Sequence, residues 1–437
     1  MFLPSWQLAK QTDVTLRRGN VVRRRDFFKT ISAAGLAAGS LSWRDLMAVE
    51  ADNLRKQGKA CIMLWMQGGP SQFETFSPKP DHQNGGETKA IATSVSGIHI
   101  SENLPNLAEH MQDLAVIRSM TSKEGAHPRA SYLMHTGYLP TASVKYPTVG
   151  SFVAQQLGDA AAELPSYVRI GGDRGGRLPG AGLLGVDYEP FNMQNAGRLP
   201  DNAVPTTDPD RYLRRLDLVE SLESAANPGT INPEVADHQR LYRKASRMIL
   251  SPKMTAFDLE QEPDHVRQSY GEGQFATGCL LARRLVESGV TFVEVQLGNW
   301  DTHQDNFDRS RGLCNQMDQP FAQLIDDLKQ RGLYDSTLVV WMGEFGRTPR
   351  INPRGGRDHF PAAFNVALGG AGIRGGQVIG TTNAAGNEVT DRPVTVPDLF
   401  QTFCKALAID PNFENIAGNG RPIKLVDEGK PVDELFG

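Results

Sequence analysis

Cysteine is scarce: the 437-residue chain holds only Cys61, Cys279, Cys314 and Cys404, and no two of them are spaced as C-x-x-C. That spacing rules out a thiolate zinc site. Each cysteine falls within an apolar strand or helix pattern, so buried free thiols are expected. A basic stripe is missing as well. The formal charge is −4, but residues 1–49 hold eight Lys/Arg against three Asp, a net of +5, which leaves −4 − 5 = −9 for the remainder. An acidic body of this kind argues against nucleic acid as a partner. No apolar run is long enough to span a bilayer. With 39% hydrophobic and 22% charged residues, the composition is that of a globular chain able to bury a large core.

The basic end has an order of its own. Arg24-Arg25-Asp26-Phe27-Phe28-Lys29 resembles the twin-arginine export signal, and the weakly apolar stretch from Thr30 to Trp43 follows it. Residues 1–50 are therefore read as an export signal and linker, with periplasmic or extracellular localisation expected. Residues 51–437 are read as one α/β domain. Apolar runs at 59–66, 115–117, 167–170, 290–296, 337–342 and 363–368 predict strands. Helical patterns at 104–114, 128–135, 148–157, 275–288, 317–330 and 396–408 alternate with them. The alternation predicts a doubly wound, mostly parallel sheet. Residues 171–205 are rich in Gly, Pro and Asn and read as a loop or lid. Residues 206–270 read as a peripheral helical excursion.

Chemistry gathers at strand ends. Trp300-Asp301-Thr302-His303-Gln304-Asp305-Asn306 follows the strand at 290–296. Gly343-Glu344-Phe345-Gly346-Arg347-Thr348-Pro349 follows the strand at 337–342, and Arg357-Asp358-His359-Phe360 comes next. Open α/β sheets place ligands outside the carboxyl ends of their strands. Carboxylate and imidazole donors together suit a divalent metal, with Zn, Mn and Ca all compatible.

These motifs, together with Gly68-Gly69-Pro70-Ser71 and Glu74-Thr75-Phe76-Ser77-Pro78-Lys79, resemble the DUF1501 family of the alkaline phosphatase-like, or sulfatase-like, superfamily. The resemblance spans nearly the whole chain beyond residue 50. It implies a metal site at strand C-termini and hydrolysis of phosphate or sulfate esters. The implied metal ligands are Asp301, His303, Glu344, Asp358 and His359, with Glu74 as a further one. The first loop departs from the family pattern: Glu74 stands where Asp is common, reaching one methylene further, and Ser77 stands where another Asp is common.

Ester hydrolysis calls for charge withdrawal from non-bridging oxygens and cations near the developing oxyanion. Arg347 could clamp such an oxygen or orient a carboxylate. His127 and Arg129 open a helix after the strand at 115–117, where an anion is favoured and where superfamily members carry their nucleophile segment. Ser71, Thr121, Ser122 or a metal-activated water are the nucleophile candidates. None of the cysteines begins C-x-P-x-R, so a formylglycine-type sulfatase is not expected. Structural alternatives attach to each motif: Asp301 as a turn former, Glu344–Arg347 as a structural pair, Asp358–His359 as a pair that orients ligands. The expected function is an exported metal-dependent hydrolase of an anionic small-molecule or polysaccharide ester. The contrasting expectation is a non-catalytic, metal-containing binding protein for an anionic polysaccharide or cell-surface partner. A phosphomutase would need a clear Ser or Thr nucleophile.

Overall fold

The computed structural model describes residues 58–172, 178–205, 207–226, 233–418 and 420–437, and all statements of absence below refer to these residues. The expected export signal lies outside them, as does most of Gly171–Gly176. Nine strands form the central sheet: β1 (Ala60–Met66), β2 (Leu114–Thr121), β3 (Tyr167–Ile170), β4 (Phe191–Met193), β5 (Phe292–Leu297), β6 (Thr337–Met342), β7 (Phe364–Gly369), β8 (Gln377–Ile379) and β9 (Val394–Thr395). Their order is β8-β2-β7-β6-β1-β5-β3-β4, with β9 also against β2. All pairings are parallel except those of β7, which is antiparallel to both β2 and β6. Strands β1, β2, β5 and β6 therefore all point their carboxyl ends the same way.

The helices are α1 (Pro105–Glu109), α2 (His127–Thr136), α3 (Val149–Leu157), α4 (Pro209–Ala226), α5 (Pro233–Leu250), α6 (Asp264–Ser269), α7 (Gln274–Glu287), α8 (Asn306–Gln330) and α9 (Val396–Leu407). The sheet is covered on both faces. Ile62, Leu64 and Met66 of β1 join a core with Leu281 and Leu285 of α7 and Phe321 and Leu324 of α8. Cys61, Met63 and Trp65 join the opposite core with Met134 of α2, Phe152 of α3 and Phe400 of α9. Alternate residues of one strand thus feed two cores, which is why β1 reads as an unbroken apolar run. All four cysteines are buried and unbonded. No helix is long and apolar enough to cross a membrane.

Three elements differ from the sequence reading. Helix α8 begins at Asn306 rather than 317 and runs through Pro320. Its first turns carry the polar sequence Asn306-Phe-Asp-Arg-Ser-Arg311, which hides the apolar period, although Ser310, Leu313 and Cys314 are buried. The run at 363–368 becomes the central sheet's one antiparallel strand, an orientation that local apolar pattern cannot encode. Within the region read as a loop, Phe191–Met193 forms the edge strand β4.

Strand β5 carries a buried charge. Glu294 accepts hydrogen bonds from Tyr167 Oη (2.6 Å), Gln296 Nε2 (2.6 Å) and Arg169 Nε (3.1 Å), and His135 Nε2 stands 3.4 Å away. Burial pushes its carboxyl up, but the Arg169 charge, then His135, outweigh that and hold it well below the carboxylate range. Arg169 also donates to Pro179 O at 3.0 Å, tying the edge of the sheet to the 178–205 region.

Candidate metal centre

Loops from the carboxyl ends of β1, β2, β5 and β6 converge on one point. After β1 the chain turns at Gly68, whose φ of +117° is open to glycine alone. Its N–H donates to both oxygens of the buried Glu344 carboxylate, at 2.9 and 3.2 Å. A Cβ on Gly68 would lie 2.5 Å from Asp301 N and 2.8 Å from Trp300 C. Gly68→Ala is therefore expected to displace Asp301 and to cost roughly 1–3 kcal/mol in backbone strain. Thermal denaturation checks this, and an unchanged melting temperature would contradict it.

The motif after β6 and the Arg357–Phe360 motif join as a short antiparallel ribbon, with His359 opposite Arg347 and Phe360 opposite Gly346. Thr348 N donates to Asp358 O at 2.8 Å and extends the pairing. This ribbon carries Glu344, Arg347, Asp358 and His359 to the same place.

Three imidazoles are held there by their Nδ1 atoms. His127, the first residue of α2, meets Glu344 Oε1 at 2.6 Å. His303 meets Asp358 Oδ1 at 2.8 Å, and His359 meets Gly125 O at 2.7 Å. Carboxylates and carbonyls only accept, so each Nδ1 carries a proton and each ring turns its Nε2 outward. Those three Nε2 atoms surround a single oxygen, Asp301 Oδ1, at 3.4 Å from His127, 3.1 Å from His303 and 3.2 Å from His359. His303 Nε2 and His359 Nε2 are 3.0 Å apart, and the buried His127 Nε2 has no hydrogen-bond partner.

Lone pairs aimed at one another need a cation or protons between them. Ligand atoms around a tetrahedral zinc with nitrogen donors stand about 3.3 Å apart, so these separations fit a divalent ion. His127, Asp301 and His359 place their donor atoms within 4.8 Å of one another, and His303 flanks that set. An acceptor on each Nδ1 is also how metal-binding histidines are oriented.

The electrostatics follow from this packing. Burial would raise the Asp301 carboxyl, but the Arg347 guanidinium, with His127 and His359, holds it well below the usual range. Burial works to lower His127, yet Glu344 on Nδ1 and the nearby Asp301 carry it above the ordinary imidazole value. His359 is lowered, by burial and by the charges of His127 and Arg347 against its bond to Gly125. The hydrogen bond with His303 lowers Asp358.

The other expected residues lie around this centre or apart from it. Arg347 is fully buried and spends its donors on the protein: Gly69 O (2.9 Å), Arg357 O (3.2 Å), Trp300 O (3.1 Å), Gly68 O and Asp301 Oδ1 (2.7 Å). It orients the Asp301 carboxylate. Glu344 and Asp358 touch Nδ1 atoms rather than the converging Nε2 set. Glu74 is buried away from the cluster in an ion pair with Arg357 Nη2 at 2.9 Å, and Arg357 stacks over Phe73 at 4.4 Å. Arg129 makes a two-pronged pair with Glu124 at 2.9 and 2.8 Å on the exposed side of α2. Ser71 Oγ is buried without a hydrogen-bond partner. Thr121 Oγ1 bonds Val394 O at 3.4 Å, and Ser122 Oγ accepts from Glu124 N at 3.2 Å.

Two supporting residues escaped the sequence reading. Arg309, in the first turn of α8, donates to Asn299 O and Asp301 O, both at 3.0 Å, and so clamps the turn that presents Asp301. Asn352 donates to His303 O (3.0 Å) and accepts from the N–H groups of Arg354 and Gly356 (2.9 and 3.0 Å). Their signal was an Arg eight residues after Asp301 on a helix that the apolar period did not reveal, and an Asn in a loop rich in Gly.

The chain belongs to the DUF1501 family, described as a protein of unknown function, whose profile matches residues 58–436. No curated protein matches the sequence. Among solved structures the chain is similar to the PsFucS1 sulfatase from Pseudoalteromonas sp., at 13% identity and TM-score 0.40, covering 91% of this chain and 75% of that one. It is similar to a phosphonate monoester hydrolase of Agrobacterium radiobacter at 12% identity and TM-score 0.34, covering 86% and 77%. It is also similar to an alkaline phosphatase superfamily protein from Vibrio parahaemolyticus at 13% identity and TM-score 0.36, covering 80% and 67%.

Proposed function

We propose that this protein is a metal-dependent hydrolase of phosphate or sulfate esters, exported by the twin-arginine route. One observation carries the hydrolase reading: three Nδ1-anchored imidazoles turn their Nε2 atoms onto one carboxylate oxygen at the carboxyl ends of the sheet strands. His127, Asp301 and His359 would hold the ion, with His303 at its flank. When bound, the ion would withdraw charge from the ester's non-bridging oxygens. Glu344, Asp358 and Gly125 O fix the three imidazole tautomers. Arg347 and Arg309 hold the Asp301 carboxylate and its backbone so that little reorganisation is needed on binding. Ser71, just after the Gly68–Gly69 turn, is a buried hydroxyl without a hydrogen-bond partner. Export is supported by Arg24-Arg25-Asp26-Phe27-Phe28-Lys29 and the stretch that follows it.

Elemental analysis of the purified protein tests the reading. About one equivalent of a divalent metal is expected, with affinity reduced about 10–100-fold in Asp358→Asn, because His303 then loses the carboxylate that orients it. A folded parent with no metal, even after incubation with Zn, Mn and Ca, would refute the hydrolase reading and favour a binding protein.

A further inference from the structure

Away from the metal centre, two cations reach one region without an anion: Lys79 Nζ approaches Thr382 O, and the Thr381–Thr382 segment packs against β2, which carries Arg118. Arg118 lies on β2 at the gap where edge pairing passes from β8, opposite Ala115–Ile117, to β9, opposite Met120–Thr121. Its Nη2 donates to His99 O at 2.5 Å, while its Nε is buried with no hydrogen-bond partner. Lys79 closes the Glu74–Lys79 motif, and its Nζ has one long hydrogen bond, 3.5 Å to Thr382 O. Among the described residues, no carboxylate lies within ion-pair distance of either side chain.

The two charges also act on each other. Burial first, and then the Arg118 charge, lower the Lys79 amine, and burial alone pushes Arg118 down to about 10. Placing like charges together in a partly desolvated site is unfavourable, and an uncompensated buried charge costs several kcal/mol. Elsewhere the fold neutralises its inner arginines: Arg169, Arg283, Arg347 and Arg357 all meet a carboxylate. The exception at Arg118 and Lys79 is accounted for if the compensating charge is supplied from outside the chain.

We propose that Arg118 and Lys79 form a binding site for a tetrahedral oxyanion, sulfate or phosphate, either free or carried as a substituent of a larger molecule. The guanidinium offers its unpartnered Nε–H as a directed donor and Lys79 adds a mobile point charge, a division of labour common in oxyanion recognition. The site adjoins the segment bearing the metal centre. A Cβ on Gly386 would meet the Phe73 ring at 2.7 Å and Lys79 Cε at 3.8 Å, and Arg357, next to Asp358, stacks on that same ring. This assignment does not rest on the proposed hydrolysis.

The test is calorimetric titration of sodium sulfate, and separately sodium phosphate, into the full chain at low ionic strength. The chain carries Asp301→Ala and His359→Ala so that the metal centre does not contribute. One equivalent is expected to bind, and Lys79→Gln or Arg118→Gln should each weaken it by at least about tenfold. Arg118→Lys keeps the charge and should fall between parent and Arg118→Gln, and thermal melts confirm that each variant is folded. Tighter binding of glucosamine 6-sulfate than of inorganic sulfate, lost in the same variants, would assign the site to a substituent. The reverse order would assign it to the free ion. Equal affinity in parent and Lys79→Gln/Arg118→Gln, or no binding of either anion, overturns the proposal.

Discussion

On the proposed metal-dependent hydrolase reading, Asp301→Ala is expected to reduce hydrolysis of a phosphate or sulfate ester about a thousandfold, corresponding to the several kcal/mol that metal-assisted charge stabilisation supplies. The oxygen it removes is the one to which His127, His303 and His359 all point. It also deprives the buried Arg347 of its only carboxylate partner, though that guanidinium keeps its backbone carbonyl acceptors. Loss of activity should therefore exceed loss of stability. The measurement is kcat/KM on an aryl phosphate and an aryl sulfate, beside a thermal melt. A variant that remains folded and retains more than about a tenth of parent activity would show that Asp301 is not at the reacting centre.

The second large effect is expected inside the sheet. Arg169→Met leaves the buried Glu294 carboxylate without its arginine partner, and breaking a buried pair in this way costs about 3–5 kcal/mol. Chemical denaturation checks the value. The pH dependence has a definite sign. The folded carboxyl of Glu294 is depressed below its unfolded value, so its stabilising contribution is present above the unfolded carboxylate range, near about pH 4.3. That contribution is lost as pH falls through the folded value. Between those limits the parent should lose stability with acidification, and Glu294→Gln should show a flatter profile. Identical slopes would remove Glu294 from the account.

Sequence and structure agree best where physics is local. Strands β1 and β6 are legible because residues buried on both faces leave nearly unbroken apolar runs, and the motifs after β5 and β6 lie at the carboxyl ends that a parallel sheet favours. Asp301 with His303, and Asp358 with His359, are legible as pairs because their donor atoms are close in sequence as well as in space. Partnerships across long separations leave no periodic trace. Glu74 reads as a possible ligand, yet its partner is Arg357, far along the chain. Glu344 reads as another, yet it lies behind His127 and holds the ring from the rear. Arg309 stays hidden because its helix begins in polar residues, and the Glu294 network because a lone acid in an apolar strand does not reveal its four neighbours.

The four thiols give the molecule a built-in clock. Each is sealed in the interior, and burial raises every one, Cys404 to about 12, so the reactive thiolate is suppressed as well as shielded. Alkylation can then proceed only through opening of the surrounding structure. Cys279 and Cys314 belong to the core on one side of the sheet, and Cys61 and Cys404 to the core on the other. The order in which they become labelled reports which layer of the fold lets go first, with no probe added to the chain.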